Sequence, residues 1–324
     1  MFILANKFLE TLEMYKLITL LFVVLMGSFE LSAQQDPQFS QNMFNKLANN
    51  PGFAGSRNVI ATSVLHRSQW LGFGDDGSAA ISTQNFSIDA EIPILSGGLG
   101  LNIVKDNIGE FSNLGLQASY AFRTQLGIGQ LGLGISAGIF QSGLNGGALR
   151  PSQSGDIVIP TGDVKGSNLD IGAGAYFNTQ DLYIGLSSAH MTEPTIEWSN
   201  GQDYNLERHY FLIAGYFKEL NSVLSLNPSV YIKSDGSTSQ LDINTNLIYT
   251  NQNNNQMWGG VSYRLDEGLI LLAGMDLTND LRFGIGYDIT TSSPLNNSLE
   301  LMLGYNFKIK SDKSISKYKN PRFL

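Results

Sequence analysis

Apolar and polar residues alternate one by one along most of the chain after residue 57. In the stretch 114–122 the apolar positions are Leu114, Leu116, Ala118, Tyr120 and Phe122, and mostly small or polar residues stand between them. The same period of two recurs in 169–177, 281–289 and 299–307. Because side chains of a β-strand point alternately to its two faces, the pattern predicts strands with one apolar and one polar face.

Two architectures produce such strands: a soluble sandwich with a shared core, and a transmembrane barrel whose apolar face meets lipid. The strands run about ten residues, the length that a tilted strand needs to cross a bilayer. Aromatic residues also gather near strand ends, as in a membrane girdle. The pattern therefore predicts an all-β, antiparallel outer-membrane β-barrel of about fourteen strands over 57–308. Its strands start near Val59, Ala79, Gly98, Asn113, Gln130, Asn168, Asp181, Arg208, Val223, Gln240, Gln256, Leu269, Leu281 and Ser298.

The connections between these strands sort by length. The odd ones include 143–167, 191–207 and 291–297, whereas the even ones include 178–180, 220–222 and 278–280. Outer-membrane barrels have long external loops and short periplasmic turns. This sorting predicts that the barrel lies in the outer membrane of a Gram-negative bacterium, with both termini in the periplasm.

The first 33 residues have the features of a secretory signal peptide, with an alternative start at Met14. Lys16 precedes an apolar run from Leu17 to Met26. Small residues at the end of the segment, the last of which is Ala33, provide a cleavage site. This arrangement is typical of a cleaved signal, and the run is shorter than the roughly 20 residues of a membrane-spanning helix. No cysteine follows to carry a lipid anchor.

The segment 34–56 has a different pattern. Asp36 followed by Pro37 is typical of a helix start, and Asn50-Pro51-Gly52 is typical of a stop. The spacing predicts a helix of about three turns with one apolar stripe. Three roles stay open for it: a plug in the barrel mouth, a periplasmic docking element, or a staple that closes the barrel end. The stripe consists of Phe39, Met43, Phe44, Leu47 and Ala48.

Composition excludes several kinds of chemistry. The chain has no cysteine, so disulfides and thiolate sites are absent. The formal net charge is −8, and it becomes −7 for residues 34–324 because 18 basic residues then face 25 acidic ones. An acidic chain without a basic face argues against nucleic-acid binding.

Candidate catalytic and metal residues are few, and we predict no enzyme, no cofactor and no metal site. His66 and Ser68 share one face of the first strand, but no third partner is evident, so a polar wall is the better interpretation than a hydrolase site. Asp75-Asp76-Gly77 lacks the alternating oxygen ligands of a calcium loop.

Charged residues recur on the predicted lumen face of the strands. Unpaired charges in a confined lumen are unfavourable, so mixed signs indicate internal ion pairs first and pore selectivity second. The predicted lumen charges are Arg123, Asp170, Lys233, Asp242, Arg264, Arg282, Asp288 and Glu300.

The last residues, 309–324, form a basic tail. Between Lys308 and Arg322 there are six basic residues against a single acid, Asp312. Such a tail is either solvated or docks on an acidic periplasmic surface. The apolar groups at its tip favour docking.

The N-terminal segment and several later motifs resemble one known family. QDPQFSQNMFNKLANNPGFAGSR resembles the start of PorP/SprF proteins, the type IX secretion system outer-membrane proteins. The similarity continues in HRSQW from His66, GLGL from Gly98, RHY from Arg208, WGGVSYR from Trp258 and NPRF from Asn320. It departs at Leu299-Glu300, where a histidine–glutamate pair would be expected, and in the individual loop 143–167.

The resemblance implies a non-enzymatic part in protein secretion and gliding motility. Family members are expected to capture secreted surface proteins, such as adhesins, through a C-terminal cargo domain. Other expected partners are a periplasmic peptidoglycan-binding lipoprotein, further secretion-machinery subunits and outer-membrane lipid. The alternative function is a channel or hydrophobic-solute transporter. The candidate partner-binding residues are Trp70, Phe73, Trp198 and Tyr204 on the outside, and Phe39, Phe44, Arg322 and Phe323 toward the periplasm.

Overall fold

A computed structural model describes residues 36–72, 81–149, 159–292 and 296–307. The signal-peptide region 1–33, Asp75, Asp76, Phe73, and the tail 309–324 with Arg322 and Phe323 lie outside the described residues. The strands are β1 (Ile60–Gln69), β2 (Ile81–Ile92), β3 (Gly97–Ile108), β4 (Phe111–Leu126), β5 (Gly129–Asn145), β6 (Asp163–Asn178), β7 (Leu182–Ala189), β8 (Thr195–Glu197), β9 (Asp203–Asn205), β10 (His209–Tyr216), β11 (Lys218–Glu219), β12 (Leu224–Ser234), β13 (Ser239–Thr250), β14 (Gln256–Arg264), β15 (Gly268–Asp276), β16 (Leu281–Thr290) and β17 (Ser298–Phe307).

Fourteen of these strands close into one antiparallel barrel. β1 pairs with both β2 and β17, and β10 pairs with both β7 and β12, so the ring has no break. The remaining three are β8 and β9, which form a separate two-stranded hairpin, and the short β11, which extends the edge of β12. The prediction of a fourteen-stranded barrel is therefore confirmed.

The alternation read from the sequence describes the wall of the barrel. Along β17 the side chains of Glu300 and Met302 point inward and are buried, whereas Leu301, Leu303 and Tyr305 are exposed on the outside. The outer wall is apolar because each strand turns its apolar face outward. The predicted and observed starts agree within five residues, and the largest difference is at β6, which begins at Asp163 instead of Asn168.

The long connections between strands lie at one end of the barrel. The connections 70–80, 146–162 and 190–208 lie at this end, which we call the long-loop end. The opposite end carries the connections 127–128, 179–181 and 277–280, and we call it the short-turn end. β4, β5 and β6 are the longest strands and extend furthest at the long-loop end, where they support β8 and β9.

The N-terminal segment (residues 36–56) lies inside the barrel. It starts near the long-loop end, where Asp36 contacts His190, and it reaches the short-turn end, where Gly55 packs on Gly98. Of the three roles left open by the sequence, the structure places this segment in the lumen. Because β17 ends at the short-turn end, Asp36 and Phe307 lie at opposite ends of the barrel.

The predicted helix of about three turns is not what the segment forms. Turns occupy 40–44, and two 3-10 helices follow at Lys46–Ala48 and Pro51–Phe53. The reason is that the backbone donors of Ser40 and Gln41 bond to the barrel wall rather than to preceding carbonyls. Within the part of the chain that the structure describes, no helix is long and apolar enough to cross a membrane.

Candidate functional site

A charged network fills the long-loop half of the lumen. Arg264 and Asp242 stand opposite each other on β14 and β13, and Nε and Nη2 of Arg264 each lie 3.0 Å from one oxygen of Asp242. Nη1 of Arg264 lies 3.2 Å from Asp288, which also accepts a 2.7 Å hydrogen bond from Arg67. All four are buried, and each charge faces an opposite one. Such pairs satisfy buried charges that would otherwise be strongly unfavourable.

The N-terminal segment is bonded to this network through its backbone. The amides of Ser40 and Gln41 donate to the two carboxylate oxygens of Glu300 at 2.7 and 2.8 Å. The hydroxyl of Ser40 donates to Asp288 at 2.7 Å, and Nη1 of Arg67 donates to that hydroxyl at 2.6 Å. The network therefore holds the segment as well as itself.

Glycines in the wall let the segment come close at its other end. A Cβ at Gly134 would lie 2.3 Å from backbone atoms of Pro51 and Gly52, and one at Gly132 would lie 2.3 Å from the carbonyl oxygen of Gly52. Gly174 is equally close to the side chain of Asn50. Only residues without a Cβ leave room for this backbone-to-backbone contact. Phe53 then packs on Tyr176, with their ring centroids 5.1 Å apart.

Lys46 occupies the short-turn half of the lumen. Its Nζ lies 3.7 Å from the ring centroid of Tyr183 and 5.7 Å from that of Phe53. Burial, and then the neighbouring Arg57, lower the pKa of Lys46 to about 7. Arg57 in turn forms an ion pair with Asp89 of β2.

A second polar cluster joins the start of the N-terminal segment to β7 and β10. Oδ1 of Asp36 lies 2.9 Å from Nε2 of His190, and the backbone amide of Asp36 donates to Nε2 of His209 at 3.2 Å. Lys233 donates to the carbonyl oxygen of Asp36 at 2.7 Å. Burial disfavours the Asp36 charge, but His190, His209 and Lys233 hold the pKa of this carboxyl below its usual range. Burial opposes protonation of His190, yet Asp36 and then Asp170 raise its pKa to about 10.

The structure places all eight predicted lumen charges on the inner face. Six are buried, while Arg123 and Arg282 are half-buried toward the short-turn end. Arg123 donates to Gln130 and Asn178, and Arg282 pairs with Asp276 at 2.8 Å and lies over the ring of Trp258. Asp170 faces His190, and Lys233 faces Asp36, so the eight charges form several groups rather than one.

The predicted partner-binding aromatics have different surroundings. Trp198 is only 9% exposed and packs with Leu144, Val164, Ile196 and Leu206 at the hairpin β8–β9, so most of its ring is held within this cluster. Tyr204 stacks on Trp198 and is half-buried, with the ring centroids 6.1 Å apart. Trp70 is half-buried at the end of β1.

Phe39 and Phe44 lie inside the barrel rather than toward periplasmic partners. Phe39 is 4% exposed, and Phe44 packs on Trp258 with a centroid distance of 5.0 Å. Their burial inside the wall corrects the prediction of a docking role. His66 and Ser68 face outward from β1, away from the lumen.

The sequence interpretation missed the amides that seat the N-terminal segment. The amide of Asn50 donates to backbone carbonyls of Ala175 and Leu186, Asn45 donates to Asn85 at 2.9 Å, and Asn42 donates to Asp242. The amide-rich composition of 34–56 is the signal that could have found them, since buried amides need partners.

The chain is similar to one known protein family. The family profile described as type IX secretion system membrane protein PorP/SprF matches residues 31–305. The chain belongs to the PorP/SprF family. The resemblance read from the sequence is thereby confirmed, and the family together with the barrel and its apolar outer wall assigns the protein to the outer membrane. No curated protein matches the chain.

Solved structures similar to this PorP/SprF protein are other barrels. A deletion mutant of the TodX monoaromatic hydrocarbon channel has a TM-score of 0.49 and 11% identity, covering 84% of this chain and 95% of that one. The Pseudomonas putida toluene transporter TodX has a TM-score of 0.48 and 12% identity, covering 85% and 95%. The Ralstonia pickettii toluene transporter TbuX has a TM-score of 0.47 and 11% identity, covering 80% and 92%.

Proposed function

We propose that this protein is a non-enzymatic outer-membrane component of type IX secretion that holds secreted surface proteins at the cell surface. The long-loop end faces outward and contacts the C-terminal domain of adhesin-type cargo. The short-turn end faces the periplasm and meets a peptidoglycan-binding lipoprotein or other subunits of the machinery. Family membership supports the secretion role, and one structural observation supports the holding role over transport.

That observation is the N-terminal segment inside the lumen. The N-terminal segment crosses the barrel from Asp36 to Gly55 and is bonded to the wall through Glu300 and Asp288. A barrel filled by its own chain suits a rigid platform better than a path for solutes. The transporter alternative requires this segment to leave, which would remove the backbone amides bonded to Glu300 and the Ser40 hydroxyl bonded to Asp288 and Arg67.

The external hairpin β8–β9 supplies the platform. Its cluster of Leu144, Val164, Ile196, Trp198 and Leu206 fixes the hairpin on the extended ends of β5 and β6. Beside the hairpin lies an open groove, whose walls include Phe111, Leu149, Ile159 and Pro160. Phe111 is 39% exposed there. Exposed apolar surface rimmed by polar residues is typical of protein-binding sites, and this groove is our proposed cargo contact.

The test is recovery of cargo with the tagged protein from the native outer membrane after crosslinking in cells. We expect large secreted proteins sharing a C-terminal domain to be recovered with the wild-type protein, and to be lost when Phe111 is changed to aspartate. The matched control is Phe307→Asp, which alters an exposed aromatic at the opposite end of the barrel wall. Both variants must retain heat-modifiable migration as folded barrels.

Three outcomes separate the candidate functions. Loss of cargo in Phe111→Asp but not in Phe307→Asp supports the platform. Equal recovery in both variants moves the contact away from the groove. Recovery of the barrel alone from wild-type cells, together with steady single-channel conductance of the purified protein, contradicts the holding role and supports a channel.

A further inference from the structure

We propose that Asp36, His190 and His209 form a binding site for one transition-metal ion, Zn²⁺ in the first place, which fastens the start of the N-terminal segment to the barrel wall. One ligand atom from each of the three residues lies within 4.8 Å of the others. Both histidines are buried. Imidazole nitrogens combined with a carboxylate oxygen are a donor set that zinc uses with an open fourth position.

The histidine orientations fit this role. Nδ1 of His209 lies 3.0 Å from the carbonyl oxygen of Glu207, and Nδ1 of His190 lies 3.0 Å from Oδ1 of Asp170. An oxygen acceptor at Nδ1 favours a proton on that nitrogen, so that Nε2 of His209 offers its lone pair, and Nε2 of His190 does so once it gives up the proton that it shares with Asp36. Both Nε2 atoms point to Asp36: one meets its carboxylate at 2.9 Å and the other its backbone amide at 3.2 Å.

One of the three distances between ligand atoms is already close to the value that zinc requires, and the other two lie within 4.8 Å. Zinc lies about 2.0–2.1 Å from its ligands, so donors around a tetrahedral ion are roughly 3.3 Å apart. The Asp36–His190 distance of 2.9 Å is already close to that value. On binding, the ion replaces the proton shared between Nε2 of His190 and Asp36, and it takes the place of the amide contact at His209.

The cluster adjoins a small cavity and is surrounded by acidic residues. A cavity of about 90 Å³ adjoins the cluster, and its lining includes the acidic residues Asp36, Asp106, Asp170 and Glu207. Lys233 is the ammonium group nearby, and it bonds to the carbonyl oxygen of Asp36 rather than to its carboxylate. The four acidic residues outnumber Lys233, so the surroundings of the cluster favour a cation.

The test measures zinc on the purified full-length barrel. Protein stripped with EDTA is dialysed, titrated with Zn²⁺ by calorimetry, and assayed for bound metal by mass spectrometry. We expect one ion per barrel in the wild type. His209→Ala and Asp36→Asn should each remove stoichiometric binding, and Asp170→Asn should weaken it about 10- to 100-fold through loss of the carboxylate behind His190. Cobalt substitution should give the visible absorption of a four-coordinate nitrogen–oxygen site.

The matched control is His66→Ala. His66 faces outward on β1 and is the one histidine of the sequence that does not belong to the cluster. It should bind zinc as the wild type does. Each variant is first checked for heat-modifiable migration, and Asp36→Asn keeps the size and polarity of the side chain. Absence of bound zinc in the wild type overturns the proposal, as does equal affinity in wild type, Asp36→Asn and His209→Ala.

A second readout follows the segment itself. Zinc should slow hydrogen exchange of the backbone around residues 36–42 in the wild type and in His66→Ala, but not in His209→Ala. If zinc binds without changing exchange there, the site does not fasten the N-terminal segment. These readouts involve no cargo, so they succeed or fail independently of the proposed secretion role.

Discussion

Arg264 and Asp242 face each other across the β13–β14 pair and form two 3.0 Å hydrogen bonds inside the barrel. Both side chains are almost fully buried, at 1% and 0% exposure. The pair also lies beside the N-terminal segment, since Asp242 accepts a hydrogen bond from Asn42. Stability of the wall and seating of the segment therefore depend on the same charges.

Replacing Arg264 by methionine should destabilise the barrel by about 3–5 kcal/mol, because Asp242 and Asp288 would each lose a buried partner. Unfolding by urea in detergent micelles, followed by tryptophan fluorescence, measures this. The double variant Arg264→Met/Asp242→Asn should recover part of the loss. An Arg264→Met barrel as stable as wild type would show that the lumen charges do not need each other.

Glu300→Gln should loosen the N-terminal segment. The charged acceptor of two backbone amides becomes a neutral amide, and hydrogen bonds to charged groups contribute about 1.5–3 kcal/mol. Hydrogen exchange of Ser40 and Gln41 should therefore accelerate by about tenfold for each 1.4 kcal/mol lost. Glu219→Gln, at an exposed position of β11, is the control. Unchanged exchange at Ser40 and Gln41 would contradict the role given to Glu300.

Gly134→Val should displace the segment from the wall. The added Cβ would lie 2.3 Å from backbone atoms of Pro51 and Gly52, so the 3-10 helix Pro51–Phe53 must move away. We expect larger single-channel conductance in planar bilayers and new protease cleavage after Lys46. Gly259→Val is the control, since its Cβ has no neighbour closer than 4.0 Å. Conductance equal to that of the control would show that the lumen stays closed without this contact.

Lys46 should make the seating of the segment depend on pH. Burial lowers its pKa from 10.5 to about 7 in the folded protein, so the unfolded chain holds more protons between these values. Stability should therefore rise with pH across this window. The wild type should gain stability relative to Lys46→Met from pH 7 to 9, and comparing the two cancels the other titrating groups. Lys218→Met, an exposed control, should track the wild type.

Much of the barrel was predictable because the alternation within each strand shows which side chains face outward and which face the lumen. The pair Leu301 and Leu303 outside, with Glu300 and Met302 inside, can be read from four consecutive residues. The lumen charges were predictable for the same reason, since a residue's parity along its strand fixes the side it faces. Which charges meet was not, because Arg67 and Asp288 are 221 residues apart.

The candidate metal site could not be found from spacing. Asp36 and His190 are 154 residues apart, and the amide of Asp36 reaches His209 across 173 residues. The two histidines meet only because β7 and β10 are neighbours whose connection returns at the long-loop end. The burial of Trp198 could not be read from the sequence either: its sequence position is in a loop, but β6 and β8 lie together and cover most of it.

The sequence by itself determined a membrane barrel, since alternation with a period of two acts within each strand and needs no distant partner. It also determined that segment 34–56 differs from the wall, through its amides and its lost alternation. Only the tertiary structure decided the path of that segment. Inside a closed ring, the carboxylate of Glu300 outcompetes the segment's own carbonyls for the amides of Ser40 and Gln41. The predicted helix therefore gives way to turns that the barrel itself stabilises.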